Sequence, residues 1–300
     1  MFLHNDRELF QEIIRAVNEK TGVAQSIIEK DYYETMILKL LARKAPGIVF
    51  KGGASLSKCY RIIDRFSEDV DVTFAEHIGR SRRRKLKYDV VKLVGDELQT
   101  PIGNWDNVES DRDYNYYLFN YRSAVSASIE GGLSSVRLET ALITPSFPTE
   151  IMEVRSIIYE AIKDVAPDIV AEYELEPFSM NVQSVRRTFV DKIFALCDYY
   201  LQGKDKRFSR HIYDLHKLSS HVVIDDALRE LAKQVRSCRA TLPVCPSAKE
   251  NVDIKTVVEE FLNSDFYKQD YENIIRTLPS DAVPYEQAVE TLRKITNLLF

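Results

Sequence analysis

The sequence predicts an α+β protein: an N-terminal α/β lobe with a mixed sheet over residues 1–150, then a C-terminal helical lobe over residues 151–300. Three observations predict it. Apolar residues recur at helical spacing in the first forty-odd residues. Short alternating stretches bounded by Gly and Pro follow, up to residue 142. After Pro145 and Pro148 the pattern returns to helical periodicity and keeps it.

Leu9, Phe10, Ile13, Ile14 and Val17 make the stripe of a first helix, with Asn5 and Glu8 placed as a cap and Gly22 as its stop. A second helix spans residues 24–43 and ends at Pro46-Gly47. Ile48–Phe50 reads as a short strand that turns at Gly52-Gly53 into a helix carrying Leu56, Tyr60 and Ile63. A strand at 70–74, a basic helix from near Ser81, and strands at 114–121 and 134–142 complete the first lobe. Helices are then expected at 150–165, 184–201, 209–219, 226–236, 254–263 and after Pro284. There is no internal repeat and no low-complexity tract.

Composition narrows the function. Hydrophobic residues at 45% and charged residues at 29% are ordinary for a soluble globular chain. The apolar runs are too short to span a bilayer, so no membrane partner is expected, and the N-terminus lacks a basic segment followed by an apolar one. A cytoplasmic location follows as the expectation. Cys59, Cys197, Cys238 and Cys245 show no paired metal-ligand spacing, and His211, His216 and His221 recur every five residues, off any single helical face.

A net charge of −5 argues against a protein that coats nucleic acid generally. Even so, Arg80, Arg82, Arg83, Arg84, Lys85, Lys87 and Lys92 crowd one stretch, and Lys204, Lys206, Arg207 and Arg210 another. Two readings stand: solvated helix faces, or a local landing surface for phosphates.

The chemistry concentrates in Asp69-Val70-Asp71-Val72-Thr73-Phe74. Strict alternation puts both aspartates on one face of a strand and Val70, Val72 and Phe74 on the other. Two convergent carboxylates suit magnesium, or manganese, together with substrate phosphates, and such ions assist phosphoryl and nucleotidyl transfer. Alone, Asp-x-Asp is more often a half-buried strand with a wet face. Upstream, however, Phe50-Lys51-Gly52-Gly53-Ala54-Ser55-Leu56-Ser57-Lys58 breaks a strand into paired glycines and then a helix. Glycines admit a phosphate to the backbone, Ser55 offers a hydroxyl, and Lys51 or Lys58 offers a cation. The spacing is neither a Walker A loop nor a dinucleotide fingerprint.

That block, followed by Arg65-Phe66-Ser67-Glu68-Asp69-Val70-Asp71, closely resembles the AbiEii/AbiGii toxin family of nucleotidyltransferases, within the DNA-polymerase-β-like superfamily. Glu29-Lys30-Asp31-Tyr32 looks like that family's N-terminal helix motif. The run from Arg187 to Leu196 resembles its helical lysine motif, and Arg210-His211-Ile212-Tyr213-Asp214-Leu215 its later aspartate motif.

The resemblance implies that Asp69 and Asp71 are the metal carboxylates, that Ser55 contacts a triphosphate with Lys192 near it, and that Asp214 completes the active cleft. Lys51, Gly52, Gly53, Lys58, Arg65 and Ser67 join Ser55 as expected nucleotide-binding residues. Thirteen residues separate Ser55 from Asp69, more than the superfamily's compact pattern. The superfamily's third carboxylate is expected at Glu139, on the polar face of the strand around Val136-Arg137-Leu138-Glu139-Thr140; the plainer reading is a surface glutamate beside Arg137. Lys192 flanks the apolar stripe of its helix, where a lysine can also simply reach water.

The resemblance further implies the toxin of a toxin–antitoxin or abortive-infection pair, with a cognate antitoxin as possible partner. The implied reaction is attack of an acceptor hydroxyl on the α-phosphate of a nucleoside triphosphate (NTP), releasing pyrophosphate, with the 3′ end of tRNA as acceptor and the nucleotide in a cleft between the lobes. Transfer to a protein or small-molecule hydroxyl is the alternative. A non-catalytic nucleotide-binding module is the rival, and it would not need both Asp69 and Asp71.

Overall fold

A computed structural model describes residues 1–67, 69–125, 133–276 and 282–300 of the chain. Two compact units result. The first comprises residues 1–59 and 66–183, the second residues 60–65 and 184–300.

The first unit is built on one six-stranded mixed sheet, ordered β3-β4-β2-β1-β6-β5. Its strands are β1 (Ile48–Lys51), β2 (Asp69–Phe74), β3 (Tyr114–Arg122), β4 (Leu133–Ala141), β5 (Thr149–Val154) and β6 (Phe178–Gln183). β1 runs antiparallel to β2 and parallel to β6, while β2 runs parallel to β4. Alternation decides which side is wet. Phe50, Val70, Val72, Val136, Leu138, Tyr117, Phe119 and Val182 are buried on one face; each apolar side chain so buried contributes about 1.5–3 kcal/mol. The opposite face carries Asp69, Asp71 and Glu139.

Helix α1 (Arg7–Thr21) is capped by Asp6, whose carboxylate accepts from the Leu9 amide at 3.1 Å. The cap expected at Asn5 therefore lies one residue later, because Asn5 is taken into a short 3-10 turn, Leu3–Asn5. Gly22 ends α1 at φ 72°, as a left-handed stop requires.

Helix α2 (Gln25–Lys44) is buried along most of its circumference and carries charged residues inward. Polar partners meet several of them. Glu29 accepts from the Ser123 hydroxyl (2.6 Å) and the Ala124 amide. Asp31 bonds Lys58 and the Ile157 amide (2.7 Å). The Tyr32 hydroxyl pairs with His4 Nδ1 at 2.9 Å. The motif Glu29-Lys30-Asp31-Tyr32 thus ties α2 to its own unit.

Beyond β1, α3 (Gly52–Ser55) passes into a π-type turn, Leu56–Tyr60, so the helix stops short of Ile63. The basic helix starts as α4 (Arg80–Lys85), widens through a π-type turn, and continues as α5 (Lys92–Glu97).

The sheet does not end near residue 150, where the composition changes. Residues 150–165, expected as one helix, supply most of β5 and then α6 (Ile157–Ile162), and α7 (Pro167–Glu172) leads to β6. Cross-strand pairing with β6 overrides the helical periodicity there, so the first unit runs on to Gln183.

The second unit is helical: α8 (Val185–Leu201), α9 (Arg210–Leu218), α10 (Asp226–Ala240), α11 (Ile254–Asn263), α12 (Lys268–Ile275) and α13 (Tyr285–Leu299). α8 packs on α9, α10 and α11, and α13 on α9 and α11. Phe189, Ile193 and Phe194 of α8, Ile212 and Leu215 of α9, Phe261 of α11 and Leu292 of α13 form its core. Among the described residues no helix is long and apolar enough to cross a membrane.

Candidate active site

Three adjacent strands bring the expected carboxylates onto one face of the first unit's sheet. Asp71 stands in register with Lys51 on β1 and with Glu139 on β4, and Glu139 in turn faces Tyr116 on β3. Asp69 stands in register with Arg137. Neighbouring strands lie about 4.8 Å apart, so the row Lys51–Asp71–Glu139–Tyr116 crosses the sheet with Asp69 and Arg137 alongside.

Asp71 is interlocked with the glycine turn. Gly52 has φ 77°, the left-handed region that favours glycine. A Cβ built there would lie 2.2 Å from the Asp71 Oδ2. Backbone angle and space both demand glycine, and Asp71 lies directly over the turn expected to meet phosphate. Gly53 and Ser55 are buried, and the Ser55 hydroxyl donates to the Gly52 carbonyl at 2.9 Å. Its bond closes the turn. Ser67 is buried as well.

Lys58 was expected at the phosphate and points elsewhere. The π-type turn carries it inward, where it bonds the Asp31 carboxylate and the Thr35 hydroxyl (3.1 Å) and lies 3.6 Å from Glu34. Burial alone would lower its pKa; Asp31 and Glu34 outweigh burial and hold the ammonium above its usual value. Of the two candidate cations, Lys51 is the one in the carboxylate row.

Arg137, set aside in the sequence as a neighbour, is central to the face. Its Nε lies 2.8 Å from Glu139 Oε1 and 4.0 Å from Asp69 Oδ1. Its Nη2 donates to the Tyr114 hydroxyl at 3.0 Å, and the guanidinium sits 4.4 Å from the Tyr116 ring centroid. The period-two pattern could have found the tyrosines: Tyr117, Phe119 and Tyr121 share the buried parity of β3, and Tyr114 and Tyr116 fall on the other.

An all-oxygen set of Asp69, Asp71 and Glu139 has the chemistry that magnesium and manganese prefer. As the side chains stand, no group of three or more His, Cys, Asp or Glu among the described residues is gathered closely enough to hold an ion. Asp71 rests on Gly52 while Arg137 engages Glu139. The donor types fit the ion; Arg137 would have to release Glu139 for all three to share it.

The second unit holds a different cluster. Asp214 is fully buried and accepts from Arg65 Nε and Nη2, both at 2.6 Å, and from Lys192 Nζ at 2.6 Å. Burial alone would raise the Asp214 pKa; the Arg65 and Lys192 cations outweigh it and hold the carboxyl far below the usual range. Burial lowers Lys192. Burial, Lys192 and Arg210 together hold the His211 pKa well below its usual value, and its Nδ1 lies 3.4 Å from Lys192 Nζ. Arg65, expected to bind nucleotide, is thus committed to Asp214, and Lys192 does not simply reach water.

The basic stretch divides too. Arg83 is buried, donating to the carbonyls of Ile78 (2.9 Å) and Asp111 (3.0 Å) and pairing with Asp113 (2.7 Å). Lys87 is buried, donating to the Val108 carbonyl at 2.5 Å and lying 4.5 Å from the Trp105 ring. Arg82 pairs with Glu76, and Arg84 lies near the Tyr88 ring.

The glycine turn leads into a helix, the Asp-x-Asp strand lies beside it and Glu139 stands on the next strand; the class of protein is a nucleotidyltransferase. The family model of the nucleotidyl transferase AbiEii toxin, type IV toxin–antitoxin system, matches residues 38–293, and the chain belongs to that family. No curated protein matches the sequence.

Proposed function

We propose that this toxin transfers a nucleoside monophosphate from an NTP to the 3′-terminal hydroxyl of an RNA, with tRNA as the acceptor, in a reaction that depends on magnesium or manganese. The observation that carries the reading is the interlock of Gly52 with Asp71, with Asp69 and Glu139 on the same face.

The acceptor oxygen attacks the α-phosphorus, the bond from that phosphorus to the bridging oxygen breaks, and pyrophosphate leaves. Asp69, Asp71 and Glu139 are the residues that would hold the metal, whose chemistry is to offset charge on the phosphate oxygens and lower the acceptor hydroxyl's proton affinity. Lys51, in the row beside Asp71, offers a cation to the phosphates. Glu139 lies on the far side of Asp71 from the glycine turn, where it can take the acceptor's proton once Arg137 yields it. Family membership points to a cognate antitoxin and to growth inhibition as the outcome.

The test is incubation with each α-labelled NTP, magnesium, and total cellular RNA or protein, followed by location of the label. Label at RNA 3′ ends, abolished by Asp71→Asn, is expected. Label on protein or on a small molecule would replace the acceptor assignment, and no transfer to any acceptor would remove the catalytic reading.

A further inference from the structure

Tyr114 and Tyr116 are among the few large aromatic side chains left open, 45% and 39% exposed, and they stand one strand beyond Glu139. Their neighbours on β3 of opposite parity, Tyr117, Phe119 and Tyr121, make the core. Folding therefore needs the second set of rings, whereas the first lies outside the core and touches Arg137. Between them lies Arg137, its side chain 35% exposed, oriented by the Tyr114 hydroxyl, the Glu139 carboxylate and the Tyr116 ring. The Tyr114 hydroxyl and the Tyr116 ring still hold the guanidinium when Glu139 is released, so it presents a flat cationic surface at little further entropic cost.

Planar rings and a planar cation side by side are what an unstacked nucleobase binds in single-stranded RNA. We propose that Tyr114, Tyr116 and Arg137 form a stacking platform for the 3′-terminal base of a single-stranded RNA acceptor. The proposal deepens the function proposed above and rests on it.

Position within the sheet favours the acceptor over the incoming nucleotide. The glycine turn and Lys51 lie on the β1 side of Asp71, whereas Glu139 and the tyrosines lie on the β4 and β3 side. A triphosphate at the turn leaves the opposite side of the carboxylates to the attacking hydroxyl. The platform adjoins that side, two strands or about 10 Å from Asp71, on the outermost strand of the sheet, whose outer edge is covered by residues 101–104, so RNA would approach over the face.

The experiment measures full-length protein by anisotropy with a short 5′-labelled single-stranded RNA at low salt, and by calorimetry with each NTP. Tyr114→Leu/Tyr116→Leu keeps apolar bulk and removes both rings; Tyr114→Phe/Tyr116→Phe keeps the rings, and melting temperatures check that all variants fold. The Leu pair should weaken RNA binding about tenfold, on the scale of one base–aromatic stack, leaving NTP affinity unchanged, and the Phe pair, which keeps the rings and loses only the Tyr114 hydroxyl's bond to Arg137, should stay closer to the parent than to the Leu pair. An RNA with an abasic 3′-terminal nucleotide should bind the parent about tenfold more weakly and be indifferent to the Leu pair.

Parental RNA affinity in the Leu pair overturns the platform, as does an abasic end without effect or a parent that binds no RNA. Loss of NTP affinity instead assigns the rings to the incoming nucleotide and overturns the acceptor assignment. Labelled-NTP transfer by the parent is scored separately. Label on protein alone ends the RNA-acceptor reading, whereas label on RNA with unaltered binding by the Leu pair ends the platform only.

Discussion

The chain carries two clusters of charge that look alike in sequence and differ in kind. On the sheet of the first unit, Asp69 and Glu139 are partly exposed, at 17% and 18%, with Arg137 between them. In the second unit, Asp214 is fully buried, with Arg65 and Lys192 both bonded to it. The first cluster has carboxylates in excess; the second has cations in excess. An excess of partly wet carboxylates can turn toward an ion or a hydroxyl at modest cost. A buried carboxylate with two cations is bound into its surroundings, and breaking such a set is expensive because the remaining charge stays dry. The two should therefore respond to opposite measurements.

The largest expected effect on stability is at Asp214. Asp214→Asn removes the buried carboxylate that Arg65 and Lys192 both bond and should cost about 3–5 kcal/mol, read as a lower urea midpoint. A midpoint within experimental error of the parent would erase the contrast between the clusters.

Asp71→Asn should do the reverse. Transfer should fall at least about 100-fold, since several kcal/mol of charge stabilisation go with the carboxylate, while the urea midpoint moves by less than about 0.5 kcal/mol. A folded Asp71→Asn protein with parental turnover would sink the catalytic role of the face.

Lys192→Met sharpens the comparison from inside the triad. Arg65 still compensates Asp214, so the stability loss should be smaller than that of Asp214→Asn. If the lysine serves the triphosphate as the family resemblance implies, NTP affinity should drop roughly tenfold. Arg186→Met, on the same helix and paired outward with Asp225, is the control.

Glu34 provides a pH reading of burial. Burial raises its pKa to about 7, against the opposing pull of Lys58, and no hydrogen-bond donor among the described residues reaches either oxygen. The folded state thus holds a proton that the unfolded state releases near 4.5, so this group's contribution is fully present below about pH 4.5 and declines as pH rises toward 7. In Glu34→Gln that decline should vanish from urea midpoints taken across the window; an identical pH profile would show that Glu34 does not titrate there.

The smallest effect is expected for the basic stretch. Replacing Arg82, Arg84 and Lys85 by Ala should flatten the logarithmic salt dependence of RNA binding by up to about 0.7 for each phosphate no longer neutralised, with NTP affinity spared. Arg83 is excluded because its bonds are internal. An unchanged salt slope would return these residues to a solvated face.

Much of this was legible in the sequence, for identifiable reasons. Asp69, Asp71 and Glu139 fall on one face because strand alternation is strict, and the observed registers align them. The termini of α8, α9 and α11 followed from helical periodicity and their flanking residues. What was not legible depended on partners distant in sequence. Residues 150–154 scan as helix, yet β6 recruits them into the sheet. Lys58 reads as a phosphate ligand until a π-type turn rotates it onto Asp31. Arg65 and Lys192 each look available; Asp214 engages both, and no local pattern announces that a carboxylate so far along the chain will do so. Composition changed near residue 150, whereas compactness changed at Gln183, because strands of one sheet need not be consecutive.

The approach of Asp71 to Gly52 sets a manufacturing tolerance for the site. With no room for even a methyl group and a backbone angle that favours glycine, Gly52→Ala forces the carboxylate aside while leaving the hydrophobic face of the sheet untouched. If Asp71 serves the reaction as proposed, such a chain would keep its outer surface and lose its alignment, an inactive decoy that a cell could accumulate in quantity. A growth-inhibiting protein is difficult to prepare in its active form. This one-atom edit offers a version in which a cognate antitoxin could be sought by co-purification without killing the host that makes it.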